Sequence, residues 1–155
     1  HLILNVKLND MNEGIIIMAD DDSDDREFFM DALEPGRKVN LIQVQDGVEL
    51  IETLHKMEQL PTVIFLDLNM PLKDGHQCLM EIRAADKFKE IPIIIYTTSS
   101  NSLHIDRTYK SGASMYITKP NEFNKLKEMF EKLFKLNVKQ YLPQPSIDKF
   151  VFRLD

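Results

Sequence analysis

Five short apolar runs recur along the chain, each followed by a segment with helical spacing. This alternation restricts the fold more than any other feature. The runs are Ile15–Ala19, Val39–Gln45, Val63–Leu68, Ile93–Thr97 and Met115–Thr118. They are largely continuous rather than alternating, as expected of strands covered on both faces. Ser23 or Asp24 suits the cap of the first helical segment, which carries Phe28, Phe29, Ala32 and Leu33 and is ended by Pro35-Gly36. Asp46 caps a second segment, with Val48, Ile51 and Leu54 on one face. Gly75–Arg83 is a third, with Cys78, Leu79 and Ile82 inward. Ser102–Ser111 is a fourth, with Ile105 and Tyr109 inward, stopped by Gly112 in left-handed backbone. Asn121 or Glu122 opens the last, where Phe123, Leu126, Met129, Phe130 and Leu133 recur at three-and-four spacing. Five βα units predict an α/β fold: a flavodoxin-like, doubly wound, five-stranded parallel sheet in the order 2-1-3-4-5 with helices on both faces.

At 155 residues the chain has the size of one domain and can bury roughly two thirds of its unfolded surface. Its net charge is −6 and it has no long Lys/Arg block, which argues against non-specific nucleic-acid or anionic-membrane binding. Its purely apolar runs are far shorter than the roughly 20 residues of a membrane helix. The single cysteine, Cys78, cannot form an internal disulfide and reads as a small core residue, so a reducing cytoplasm is the natural setting. Residues 1–10 read as an N-terminal extension or as residues left from expression, and residues 11–136 as the domain itself. Residues 137–155 differ: Pro143 and Pro145 break any helix, and Phe150, Phe152 and Leu154 then alternate with other residues. They read as a tail, an added edge strand or a partner-binding extension.

In open α/β sheets, ligands bind outside the carboxyl ends of the strands, where the winding reverses. Asp20, Asp21 and Asp22 follow the first run, Asp67 ends the third, Thr97 to Ser100 end the fourth, and Lys119-Pro120 follows the fifth. Carboxylates gathered there repel one another unless a cation lies between them, and hard oxygen ligands suit Mg²⁺. A hydroxyl and a lysine can hold phosphoryl oxygens, and an aspartate can be the nucleophile that forms an acyl phosphate. The inferred site is a Mg²⁺-assisted aspartyl-phosphorylation centre. Asp22, Asp24 and Asp25 read as helix-start acids favoured by the helix dipole. His55, His76 and His104 show no metal spacing and read as surface residues. The spacing of Asp20, Asp22, Asp24 and Asp31 fails as a calcium loop, because Asp25 stands where the turn needs glycine. No phosphate-binding or dinucleotide glycine motif is present.

The motifs MADDD (18–22), FLDLNMPLKDG (65–75), IYTTS (95–99) and YITKP (116–120) fall in one order and spacing. In these the chain resembles the receiver domain of two-component response regulators, over about residues 14–136. The stretch from Tyr109 to Pro120, with TTSS before it, is similar to stand-alone receivers of the bacterial phytochrome-associated type. The resemblance implies that Asp67 is the phosphoacceptor. It implies that Asp21 and Asp67 bind Mg²⁺ (or Mn²⁺) directly, that Asp20 acts mostly through water, and that the Asn69 backbone carbonyl completes the set. Thr97 then matches the switch hydroxyl, Lys119 the lysine on the phosphoryl oxygens, and Tyr116 the rotating aromatic. Asn69 and Thr98 offer backbone groups to the phosphate, Thr98 standing where the family usually has alanine. Asn69 and Ser99 occupy positions that tune dephosphorylation.

By the same resemblance, a histidine kinase or phosphotransfer protein supplies the phosphoryl group and a downstream protein reads it. The chain makes no direct nucleic-acid contact and is no enzyme beyond taking part in its own phosphorylation and dephosphorylation. The face formed by the fourth helix, fifth strand and fifth helix is the one that changes, and an apolar outer edge there suits a homodimer. About 20 residues follow the last helix, too few for a DNA-binding unit, so the expected output is protein contact. Two alternatives stand beside this reading. One is a hydrolase of the haloacid-dehalogenase kind, which needs an aspartate where this chain has Asn69. The other is a receiver fragment of a longer regulator.

Overall fold

A computed structural model describes residues 13–33, 38–136, 141–142 and 144–154. The stretch 1–10, the expected helix stop at Pro35-Gly36 and the break at Pro143 lie outside these residues. The strands are β1 (Glu13–Ala19), β2 (Lys38–Val44), β3 (Val63–Leu66), β4 (Ile93–Thr97) and β5 (Met115–Thr118). They alternate with α1 (Ser23–Ala32), α2 (Gly47–Lys56), α3 (Gly75–Ala84), α4 (Ser102–Lys110) and α5 (Phe123–Lys135), and a one-turn α6 (Ile147–Phe150) follows. All four strand pairings are parallel, in the order β2-β1-β3-β4-β5. This is the order expected from the sequence.

The sheet divides the core in two because successive side chains point to opposite faces. Ile16 and Met18 join Phe29, Phe65, Tyr96, Leu126, Met129 and Phe130 on one side. Ile17 and Ala19 join Leu50, Leu54, Ile64, Leu79, Ile82 and Ile95 on the other. Every residue of β3 and β4 is buried, which is why those runs carry no polar alternation. An edge-to-face aromatic cluster locks α1 and α5 to the first side, with Phe29 lying 4.9 Å from Phe65 and 5.0 Å from Phe130 between ring centroids.

Several local expectations are corrected. The cap of α1 is Asp22, one residue earlier than expected; its extended backbone lets the carboxylate accept from the amides of Asp24 and Asp25. Phe28 and Val48 are exposed: Phe28 packs edge-on against Phe123, and Leu50 takes the buried place on α2. On α4 the fully buried residue is Thr108, whose hydroxyl bonds back to the carbonyls of His104 and Ile105, while Ile105 and Tyr109 are half-buried. Met115 to Thr118, the cap at Asp46 and the positive φ of Gly112 match the sequence reading. Beyond α5 the chain returns to β5 through a single parallel bridge between Tyr116 and Val151. Among the described residues of this segment, Val151 and Phe152 lie beside β5 without forming a strand.

Two glycines fix the loop after β3. A Cβ on Gly75 would lie 2.1 Å from the Asp67 carbonyl oxygen, and one on Gly47 would lie 2.0 Å from that of Lys73. The α3 start therefore rests directly on the Asp67 peptide, and α2 on the loop beyond it. Replacing Gly75 with Ala should cost about 3 kcal/mol through overpacking against backbone that cannot yield. Urea unfolding checks this; a midpoint equal to wild type would contradict the contact.

Candidate functional site

The carboxyl edge of the sheet gathers its groups through backbone pairing. The Asp20 amide bonds to the Val44 carbonyl, the Asp67 amide to Ala19, and the Lys119 amide to Thr97, at 2.7–3.0 Å. Each site residue is thus the first position past its strand, held by the neighbouring strand. Asp20 is fully buried and Asp67 nearly so. The Asp20 carboxylate accepts from the Asp22 amide at 3.0 Å, and its carbonyl from the Arg26 guanidinium at 2.8 Å. Gln43 holds Arg26 in turn by donating to its carbonyl. The Asn69 amide donates to Asp67 Oδ1 at 3.3 Å.

Lys119 occupies the centre. Its Nζ donates to Asp67 Oδ2 at 2.9 Å and to Asp25 Oδ2 at 2.8 Å. It also stands 2.7 Å from Asp20 Oδ2, an ion-pair contact outside hydrogen-bond alignment. The Tyr96 ring lies 5.7 Å from the same ammonium. Burial alone would lower the lysine's pKa, but the carboxylates around it overcome that and raise it. Asp20 shifts the other way for an acid: burial, with the Asp67 charge adding to it, lifts it from 3.8 to about 6 against the opposing pull of Lys119 and the Asp22 amide.

Two buried polar atoms have no hydrogen-bond partner among the described residues, Asp20 Oδ2 and Thr97 Oγ1. Such atoms are costly unless something else satisfies them. Asp20, Asp21 and Asp67 can each offer a carboxylate oxygen, all within 4.8 Å of one another. This hard-oxygen set, with one oxygen left unsatisfied, fits a divalent cation. The Thr97 hydroxyl is a donor without an acceptor, next to Asp67 and Lys119 along the edge.

The remaining expected residues are also placed. Thr98 and Asn69 are exposed at the rim, and Ser99 Oγ pairs with His104 Nδ1 at 2.6 Å. Tyr116 is fully buried and donates its hydroxyl to the Ser99 carbonyl at 2.7 Å. His55 and His104 are exposed, whereas His76 is half-buried and pairs with Ser111 Oγ. Cys78 is buried, with its thiol pushed up to about 12 by that burial. Asp25 stands in the first turn of α1 as the sequence reading has it, and in addition it binds the central lysine, a contact that reading did not include. Its position one turn past Asp21, at the same strand end, was the available signal.

The family described as "Response regulator receiver domain" matches residues 16–131. The chain is 32% identical over 116 residues to chemotaxis protein CheY1 of Helicobacter pylori, covering 75% of this chain and 93% of that protein. It is 31% identical over 128 residues to the sensor histidine kinase CheAY of the same species, covering 83% of this chain but only 16% of the kinase. Among solved structures it is similar to the phosphorylated cyanobacterial phytochrome response regulator RcpA, with TM-score 0.73, 27% identity and coverage of 84% and 94%. It is also similar to the Mn²⁺-bound form of response regulator Rcp1, with TM-score 0.72, 26% identity and coverage of 81% and 98%.

The buried acid generates a pH prediction. Asp20 titrates near 3.8 when unfolded and near 6 when folded. Its contribution to stability is therefore fully present below pH 3.8 and is lost as pH rises through 6. With divalent metal chelated, the stability difference between wild type and Asp20→Asn should move in the variant's favour by up to about 3 kcal/mol from pH 4 to pH 7. Parallel pH profiles in urea unfolding would refute the assignment.

Proposed function

We propose, on the premise that this chain belongs to the response regulator receiver family, that it carries a phosphoryl group on Asp67 and thereby switches a protein-binding face. The family's role as a phosphoacceptor signalling switch supports this, as does one observation above the others. Around Asp67 stand a saturated lysine, an unsatisfied carboxylate oxygen and an unsatisfied hydroxyl, all buried. A cation would complete the carboxylate set, and a phosphoryl group would accept from the lysine and the hydroxyl.

In the proposed reaction, Asp67 Oδ attacks the phosphorus of a phosphohistidine on a histidine kinase or phosphotransfer protein. The P–O bond forms as the P–N bond breaks, and the imidazole leaves. Mg²⁺ or Mn²⁺, held by Asp20, Asp21, Asp67 and the Asn69 carbonyl, would supply charge neutralisation of the developing phosphoryl oxygens. Lys119 transfers one of its N–H bonds from a carboxylate to a phosphoryl oxygen. The Thr97 hydroxyl donates to another, and the Asn69 and Thr98 amides lie where they can assist. The shift of Thr97 draws in the loop to Ser99, and Tyr116 follows it through its hydrogen bond. The result is a biased two-state equilibrium in the face formed by α4, β5 and α5, read by a downstream protein. Residues 11–136 are the receiver unit in this reading, and residues 137–155 an extension of it. Asn69 stands where a phosphate-ester hydrolase would need an acid, so nothing in the site favours that alternative.

Incubation with Mg²⁺ and acetyl phosphate should add one phosphoryl group by intact mass, absent in Asp67→Asn. Lys119→Ala or Thr97→Ala should slow the gain about a hundredfold, the usual loss for one donor to developing charge. No adduct on wild type, together with no Mg²⁺-dependent beryllofluoride binding, would overturn the function.

A further inference from the structure

The family match ends at residue 131, yet the segment from Gln144 onward docks on the domain through the buried Pro145 and Phe150. Phe150 is fully buried, packed on the ring of Tyr109 at 5.0 Å between centroids and on that of Tyr116 at 6.2 Å. Polar contacts pin both ends of this seat. The Phe152 amide bonds to the Tyr116 carbonyl at 2.9 Å, extending the bridge on the outer edge of β5. The Tyr109 hydroxyl donates to the Pro145 carbonyl at 2.8 Å, and the Gln144 amide donates to the carbonyls of Ala113 and Tyr109.

The seat is only partly closed. One open cleft of about 360 Å³ lies between residues 151–154 and the α5 side chains Lys125 and Met129, and another of about 430 Å³ lies beside Lys132 and Lys135. Phe150 anchors the segment, Val151, Phe152 and Leu154 pack half-buried against the two core layers, and residues 146–149 are exposed. A short surface segment of this kind opens at lower free-energy cost than the whole fold.

The anchor touches the site's relay directly. Tyr116 packs on Phe150 with its ring and bonds to the Ser99 carbonyl with its hydroxyl, two residues past the unsatisfied Thr97 hydroxyl. A closure of the Thr97–Ser99 loop on a phosphoryl group would shift the carbonyl that holds the Tyr116 hydroxyl, and with it a ring that is already fully buried against Phe150. A gap of even half an ångström opened between the two rings would forfeit a large part of their packing.

We propose that residues 144–154 are a displaceable cover over the seat between α4 and β5. The cover stays docked while Asp67 is unmodified and loosens when Asp67 is phosphorylated, which exposes the seat to the downstream partner. This rests on Asp67 being the phosphoacceptor. Because coupling between two sites is reciprocal, weakening the cover must tighten binding at the phosphoryl site.

The test uses the full chain with Mg²⁺ and beryllofluoride. Amide hydrogen exchange should accelerate at least fivefold across residues 147–154 when beryllofluoride is bound. Phe150→Ala should bind beryllofluoride about fivefold more tightly by calorimetry. Gln144→Ala, which deletes the side-chain amide that bonds to the carbonyls of Ala113 and Tyr109 and leaves every apolar contact of the segment in place, should shift affinity in the same direction and guards against a folding defect in the first variant. If wild type fails to bind beryllofluoride, the phosphoacceptor reading fails, and this inference with it. If it binds while tail exchange and both variants' affinities stay unchanged, the cover alone is overturned. Protection that rises with protein concentration would assign the seat to a second copy and would equally overturn it.

Discussion

Everything at the carboxyl edge depends on one buried ammonium. Lys119 has three protons to give and three carboxylates within 2.9 Å, from the ends of β1 and β3 and from the first turn of α1. With that cation beside them Asp20 and Asp67 lie buried in one sheet crevice, although burial still raises the pKa of Asp20. The sheet holds them there because it is built from strands buried on both faces, whose pairing fixes each site residue by a backbone hydrogen bond. Stability is given up at the edge and recovered in the two apolar layers beneath it.

That division explains the chemistry. A ligand shifts a two-state equilibrium only through its differential affinity for the two states. The unsatisfied oxygen of Asp20 and the unsatisfied hydroxyl of Thr97 call for opposite partners, a cation and an anion. A phosphoryl group accompanied by a divalent metal brings both. The loop that follows Thr97 leads through the Ser99 carbonyl to the Tyr116 hydroxyl, which ties the edge to β5.

The sheet order and the four-part site were legible in the sequence because both arise from local, repeated signals. Continuous apolar runs mark doubly covered strands, and the rule for open sheets collects their ends. Short-range chemistry was read less well. Asp22 rather than Ser23 or Asp24 caps α1, since all three adjacent residues are good caps on paper and only backbone φ/ψ selects one. Asp25 looked like another helix-start acid because its partner, Lys119, lies 94 residues away. The place of Phe150 was invisible for a related reason. Helix α4 offers only Thr108 as a fully buried residue, and its missing apolar cover is supplied from a segment that two prolines had marked as irregular.

The bridge between Tyr116 and Val151 has a consequence beyond signalling. In the order β2-β1-β3-β4-β5 the sheet has two free borders, and β5 is one of them. A bare border of unpaired amides and carbonyls recruits other strands indiscriminately and is a route to aggregation. Residues 151 and 152 lie along β5 and occupy part of that border, which leaves less of it open to pairing with another strand.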